Sequence, residues 1–251
     1  MGKKDKRQDW ILREVHLHNR VQLQDLAVQL GVSVDTVRRD IKEMDTRGDL
    51  KQVHGGAVAN GFGFEGKENR KEVYALQNKR LIAQKAVRLI KEGQIILISG
   101  GTTNLELVRQ LPPKLEATFF TPSLTIALEL LLHPNLEVIF IGGKLSKAAQ
   151  VAVGGAAMDA LSSIKTDWCF LGTGYLDAAE GLTEFDWEVV QMKKAMVKAS
   201  HRLVSLTISE KLNSVQRYRI CRTSDIHTLI TECDPEDSLL APYRQHTQQV
   251  M

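Results

Sequence analysis

Two short apolar-periodic segments, separated by Gly31-Val32-Ser33 alone, constrain this fold more than any other feature of the chain. In the first, Leu23, Leu26, Ala27 and Leu30 recur at helical spacing, and Gly31 suits a C-terminal stop. Ser33 suits an N-cap, and the second segment reads as helix to about Met44. Within it Val34, Val37, Ile41 and Met44 fall on one stripe that a core would bury. Asp35, Arg38, Arg39 and Lys42 fall on another face, which is largely basic. Two helices joined by a tight glycine turn, the second bearing exposed arginines, make the helix-turn-helix pattern. The major groove of B-DNA, about 12 Å wide, admits one such helix, and arginine can fork onto guanine or phosphate there. An Arg-Arg pair on a helix is by itself only a solvated face. The short turn, the cap and the segment that follows favour DNA. A preceding helix is predicted from about Lys4 to His18, with Trp10, Ile11, Leu12 and Val15 inward and His16 and His18 at the surface.

The following segment runs Gly48-Asp49-Leu50-Lys51-Gln52-Val53-His54-Gly55-Gly56-Ala57. Leu50 to Val53 suits a strand, and His54-Gly55-Gly56 a tight turn or wing. The stretch LGVSVDTVRRDIKEMDTRGDLKQVHGGAV resembles the signature of the DeoR family of bacterial regulators over about thirty residues. That resemblance implies a winged helix-turn-helix over residues 1–57. It places Ser33, Asp35, Thr36, Arg38, Arg39 and Lys42 at or near the groove, with Lys51, His54, Gly55 and Gly56 on phosphate or the neighbouring groove. Two positions depart from the family pattern. Gln22 stands where Ser or Thr usually caps the second helix, and Gln52 stands where Arg is common.

Bulk numbers exclude more than they assert. Net charge is +3, and residues 1–57 carry 11 Lys plus Arg against 9 Asp plus Glu, so charge alone cannot establish a nucleic-acid partner. Cys169, Cys221 and Cys233 are odd in number and widely spaced, which argues against a disulfide framework or a zinc site. The seven histidines are scattered, and no metal or cofactor is expected. The start is polar and the apolar runs are too short for a bilayer, so a cytoplasmic location without a membrane partner is expected.

Residues 58–75 read as a linker, with Gly61, Gly63 and Gly66, and with Phe62 and Phe64 free to pack on either side. From 76 to 240, strand-like and helix-like segments alternate, which predicts an α/β domain with a mainly parallel sheet. Residues 241–251 show no pattern and read as a tail. In such sheets ligands bind beyond the carboxyl ends of the strands. Those ends are rich in Gly, Ser and Thr, which let backbone N–H groups approach an anion. Gly100-Gly101-Thr102-Thr103-Asn104 is the best phosphate loop by this logic, although it is neither a P-loop nor a dinucleotide fingerprint. For any single loop, glycines serving tight turns remain an equal alternative.

The resemblance continues through GGTTNLELVRQL, TPSLTIALELL, VIFIGGKL and the run from Gly154 to Ser200. It implies a sensor similar to ribose-5-phosphate isomerase, taking a phosphorylated sugar or related metabolite. It marks Gly101, Thr102, Thr103, Asn104, Ser123, Gly142, Gly143, Lys144, Gly172, Thr173, Gly174, Thr183, Lys193 and Lys211 as effector residues. Lys144 and Lys193 read equally well as solvated surface. Ser99-Gly100, Pro122 and Ile208 replace polar or acidic residues that the family commonly has. The resulting expectation is a transcriptional repressor of carbohydrate genes, working as a homodimer or homotetramer on a double-stranded operator. Two rivals stay open: an isomerase-like enzyme using Glu184, Asp186 or Glu188 as base, and a DNA-binding protein whose second domain serves assembly alone.

Overall fold

The computed structural model describes residues 2–59, 73–147 and 149–251. Gly61, Phe62, Gly63, Phe64 and Gly66 of the expected linker lie outside the described residues. The chain divides into two compact units, residues 1–74 and 75–251.

In the first unit α1 (Lys3–His18) leads through β1 (Arg20–Gln22) to α2 (Leu23–Leu30) and α3 (Val34–Thr46), followed by β2 (Leu50–Val53) and β3 (Gly56–Ala59). Ile11 and Val15, Leu26 and Ala27, and Val37, Ile41 and Met44 meet in one core, closed by Leu50 and Ala57. The three strands form an antiparallel sheet in the order β1-β3-β2. Sequence patterning anticipates β2 but neither β1 nor β3. Both are short, and β1 finds its partner, β3, only far along the chain. His18, expected at the surface, has a side chain only 6% exposed beside Glu14.

The second unit is built on a seven-stranded sheet in the order β15-β14-β12-β9-β4-β5-β6. Its strands are β4 (Ile95–Ile98), β5 (Ala117–Thr121), β6 (Leu136–Phe140), β9 (Thr166–Gly172), β12 (Ser200–Leu206), β14 (Thr228–Ile230) and β15 (Gln249–Val250), all paired parallel. α4 (Leu76–Val87), α5 (Thr102–Arg109) and α6 (Leu124–Leu130) pack together against the sheet. α7 (Gly155–Ser162) and α8 (Trp187–Lys198) share the other main cluster with Leu97, Cys169, Leu171, Leu203 and Leu229. A hairpin, β7 (Lys144–Ser146) with β8 (Val151–Val153), and a small antiparallel sheet of β10 (Tyr175–Asp177), β11 (Gly181–Glu184) and β13 (Tyr218–Cys221) complete the unit. The final residues are not a loose tail. Tyr243 is fully buried, its hydroxyl donates to the Leu176 carbonyl at 3.2 Å, and β15 pairs with β14.

Candidate functional site

The turn between α2 and α3 is set by Gly31, whose φ of 62° is the left-handed conformation that ends a helix. Ser33 then caps α3, its Oγ accepting the Thr36 N–H at 3.2 Å. Asp40 lies on the buried side of α3 and receives Arg7 at 2.5 and 3.2 Å and Gln8 at 3.3 Å. This clamp to α1 fixes the rotation of α3 about its own axis. Arg38, Arg39 and Lys42 are therefore exposed together, and Arg38 engages Asp35 one turn earlier. Ser33 and Asp35 are exposed as well, and Thr36 is half-buried.

Gln22 precedes α2 and makes no side-chain cap. The helix is capped instead from the wing, where the Leu23 N–H donates to the Gly55 carbonyl at 2.9 Å. Lys51, His54 and Gly55 are exposed around that turn. Gly56 is buried, and a Cβ there would sit 1.9 Å from the Val21 carbonyl oxygen, so packing of β3 against β1 requires glycine. A groove of about 560 Å³ runs between α3 and the wing, bordered by Arg20, Gln22, Val34, Arg38, Gln52 and His54. Arg20 escapes sequence reasoning because the strand that carries it is so short.

In the sheet the strand order reverses direction between β4 and β9, since β5 and β6 lie on one side of β4 and β9, β12, β14 and β15 on the other. A crevice at the carboxyl ends of two such strands is where open α/β sheets bind ligands. The backbones approach closely here: a Cβ on Gly172 would meet the Gly100 carbonyl oxygen at 2.4 Å. Ser99 Oγ bridges the strands, accepting the Gly172 N–H at 2.8 Å. Asn104 Nδ2 donates to the Ser99 carbonyl at 2.8 Å, while its fully buried Oδ1 has no partner among the described residues. Ser123 Oγ flanks Gly100, and Gly101, at φ 125°, opens α5.

Two lysines converge on the end of β9. Lys211 Nζ donates to the Thr173 carbonyl at 3.0 Å. Lys193 Nζ donates to the Gly172 carbonyl at 3.1 Å and lies 3.3 Å from Glu184. Burial pushes Lys211 down to about 7, and the charges of Lys79 and Lys193 push the same way. Lys79, on α4, is 1% exposed, and burial lowers it to about 8 against the pull of Glu106 and Glu210. Lys79 shares its helix face with Ile82, Ala83 and Ala86, a spacing from which a buried lysine is legible.

Residues 7–61 match the DeoR-like helix-turn-helix domain, and residues 75–233 match the DeoR C-terminal sensor domain. The chain belongs to the DeoR family. It is 34% identical to the HTH-type transcriptional regulator GlpR of Haloferax volcanii, over 84% of this chain and 82% of that one. It is 24% identical to the glycerol-3-phosphate regulon repressor of Escherichia coli, over 97% of each. Ribose 5-phosphate isomerase A from Neisseria gonorrhoeae aligns at 17% identity and TM-score 0.41, over 54% of this chain and 53% of that chain.

In this DeoR-family sensor unit, Gly101, Asn104, Ser123, Gly172, Thr173, Gly174, Lys193 and Lys211 fall around the β4–β9 crevice, with Thr102 and Thr103 in the first turn of α5. Most of the remaining candidates make contacts of their own. Lys144 is exposed and paired with Glu188 at 2.9 Å, and Thr183 Oγ1 accepts the Gln216 N–H at 2.8 Å. Gly142 and Gly143 are exposed, with Gly143 packed near Val153 and Ala157. The carboxylates of the isomerase alternative are all engaged. Glu184 meets Lys193, Asp186 caps α8 through the Glu188 and Val189 N–H groups, and Glu188 holds Lys144. Among the described residues no group of His, Cys, Asp and Glu has the arrangement of a metal site, and no helix is long and apolar enough to cross a membrane.

Proposed function

We propose that this chain represses carbohydrate-metabolism genes by binding an operator through α3 and the wing, and that a phosphorylated metabolite at the β4–β9 crevice releases it. One observation carries the reading: the Asp40 clamp holds one face of α3 in the core, so Arg38, Arg39 and Lys42 are presented together beside the groove under the wing. Ser33, Thr36, Arg38 and Arg39 reach base edges, Lys42 and Asp35 border them, and Lys51, His54 and Gly55 meet phosphate. At the crevice, close-packed glycines, the start of α5, the buried Lys211 and the partly buried Lys193 suit an anion. A phosphomonoester fits that chemistry, and the name of the Escherichia coli relative points the same way.

The test is fluorescence anisotropy on DNA from upstream of the chain's own gene, at fixed salt, with a panel of sugar phosphates added. Specific binding released by one compound is the expected result. Tight binding that no compound disturbs would sink the sensor role and leave an assembly domain. Binding no better than to random DNA at this fragment and at neighbouring promoters would sink the operator role.

A further inference from the structure

Among the described residues β6 is an open edge of the seven-stranded sheet, and it lacks most of the devices that usually blunt an edge. Between Leu136 and Phe140 there is no lysine, no proline and no register shift. The single charge, Glu137, is tied to Thr118 Oγ1 at 2.8 Å. The surroundings are apolar as well. Of the twelve large hydrophobic residues exposed among the described residues, five fall on or just after α6 and on β6: Leu128, Leu131, Leu132, Ile139 and Phe140. That concentration is more than the scatter of single apolar residues normal on a surface. The opposite edge, β15, is only Gln249 and Val250.

The backbone polarity of β6 follows from one bond. The Ile141 N–H donates inward to the Thr121 carbonyl at 2.9 Å. Alternation along the strand then turns the N–H and C=O groups of Leu136, Val138 and Phe140 outward. We propose that β6 is a self-association edge, on which a second copy of this chain pairs antiparallel about a two-fold axis through Val138. Such an axis sets Val138 opposite its own copy and Leu136 opposite Phe140 of the other copy. Every outward group then finds a partner. Glu137 lies opposite Ile139 of the other copy, so no like charges face each other. A strand that is complementary to itself in hydrogen bonds, apolarity and charge selects an identical chain over an unrelated one. The proposal does not rest on the operator reading, because self-association is measured without DNA.

Sedimentation velocity on the full chain, over a range of concentrations, tests it. Val138→Pro removes an outward N–H and no bond within the protomer, so the fold should survive. It should weaken dimerisation by about 30-fold or more, the effect of losing a central interface residue. Phe140→Lys should act in the same direction and serves as a second route if the proline lowers the melting temperature. Val138→Cys should be captured as a covalent dimer by a short bis-maleimide, beyond the background of the parent chain with its partly exposed Cys233. A monomeric wild type, or wild-type dimerisation in both Val138→Pro and Phe140→Lys, would overturn the proposal.

Discussion

The two units treat their cations in opposite ways. The helix-turn-helix unit leaves Arg38, Arg39 and Lys42 in water, where a charge costs nothing to hold and is available to any phosphate or base edge. The sheet unit draws Lys79, Lys193 and Lys211 inside, where each ammonium loses hydration and two are pushed well below the ordinary lysine value. Exposed cations suit a polyanion that arrives along a surface. Buried ones suit a small anion that enters a crevice and returns the lost solvation.

The sharpest way to break this contrast is to disturb the crevice without touching a charge. Gly172→Ala forces a Cβ onto the Gly100 carbonyl and should destabilise the sheet unit by about 3 kcal/mol, read by denaturant unfolding. An unchanged midpoint would mean that the strand ends are not locked. Next comes Arg39→Ala, which should cost about 1–3 kcal/mol of operator affinity by anisotropy while leaving the melting temperature alone. Equal affinity would remove Arg39 from the reading face.

Lys211 gives a pH signature. Its folded value, about 7, lies below the ordinary 10.5. Below about 7 both states hold the proton, and the folded state bears the buried charge. Between about 7 and 10.5 only the unfolded chain is protonated, so stability should rise with pH across that window. Lys79, at about 8, adds to the upper part of the rise. Urea midpoints at successive pH values should show the rise in wild type and a weaker one in Lys211→Met. Phosphate-ester affinity should fall as pH climbs past about 7 if the protonated ammonium meets the anion.

The two smallest effects compare caps within the first unit. Ser33→Ala should lower stability by about 1 kcal/mol, because it removes the Oγ contacts with both the Thr36 N–H and the Thr36 hydroxyl. Gln22→Ser should raise stability by at most about 1 kcal/mol, because a serine cap serves the Gln24 or Asp25 N–H while the wing keeps its bond to Leu23. An unchanged midpoint would show that those two donors gain nothing from a side-chain cap.

Sequence patterning revealed the helices and most central strands because their signal is local. Leu23 to Met44 carries its helical period within a few turns, and the β4, β5 and β9 segments are apolar runs of the right length. What stayed hidden depends on distant partners. β1 and β3 exist because Val21 lies against Ala57, and β15 exists because Leu229 lies against Val250. The glycine-rich loops were legible as a set, yet only the strand order shows which of them meet. Lys144 and Lys193 looked alike in sequence. One is held at the surface by Glu188, and the other is folded onto the Gly172 carbonyl.

The bond from Leu23 to Gly55 has a consequence for how this chain can vary. The hairpin tip looks like the exposed turn where insertions are ordinarily tolerated. Here the same turn supplies an acceptor to α2 and sets the register of Gly56 to Val58 against Arg20 to Gln22. One residue added between His54 and Gly56 would leave a helix donor unserved and slide a side chain onto the Val21 carbonyl. The tip is therefore a fixed-length part, free to change its side chains at His54 but not its count of residues.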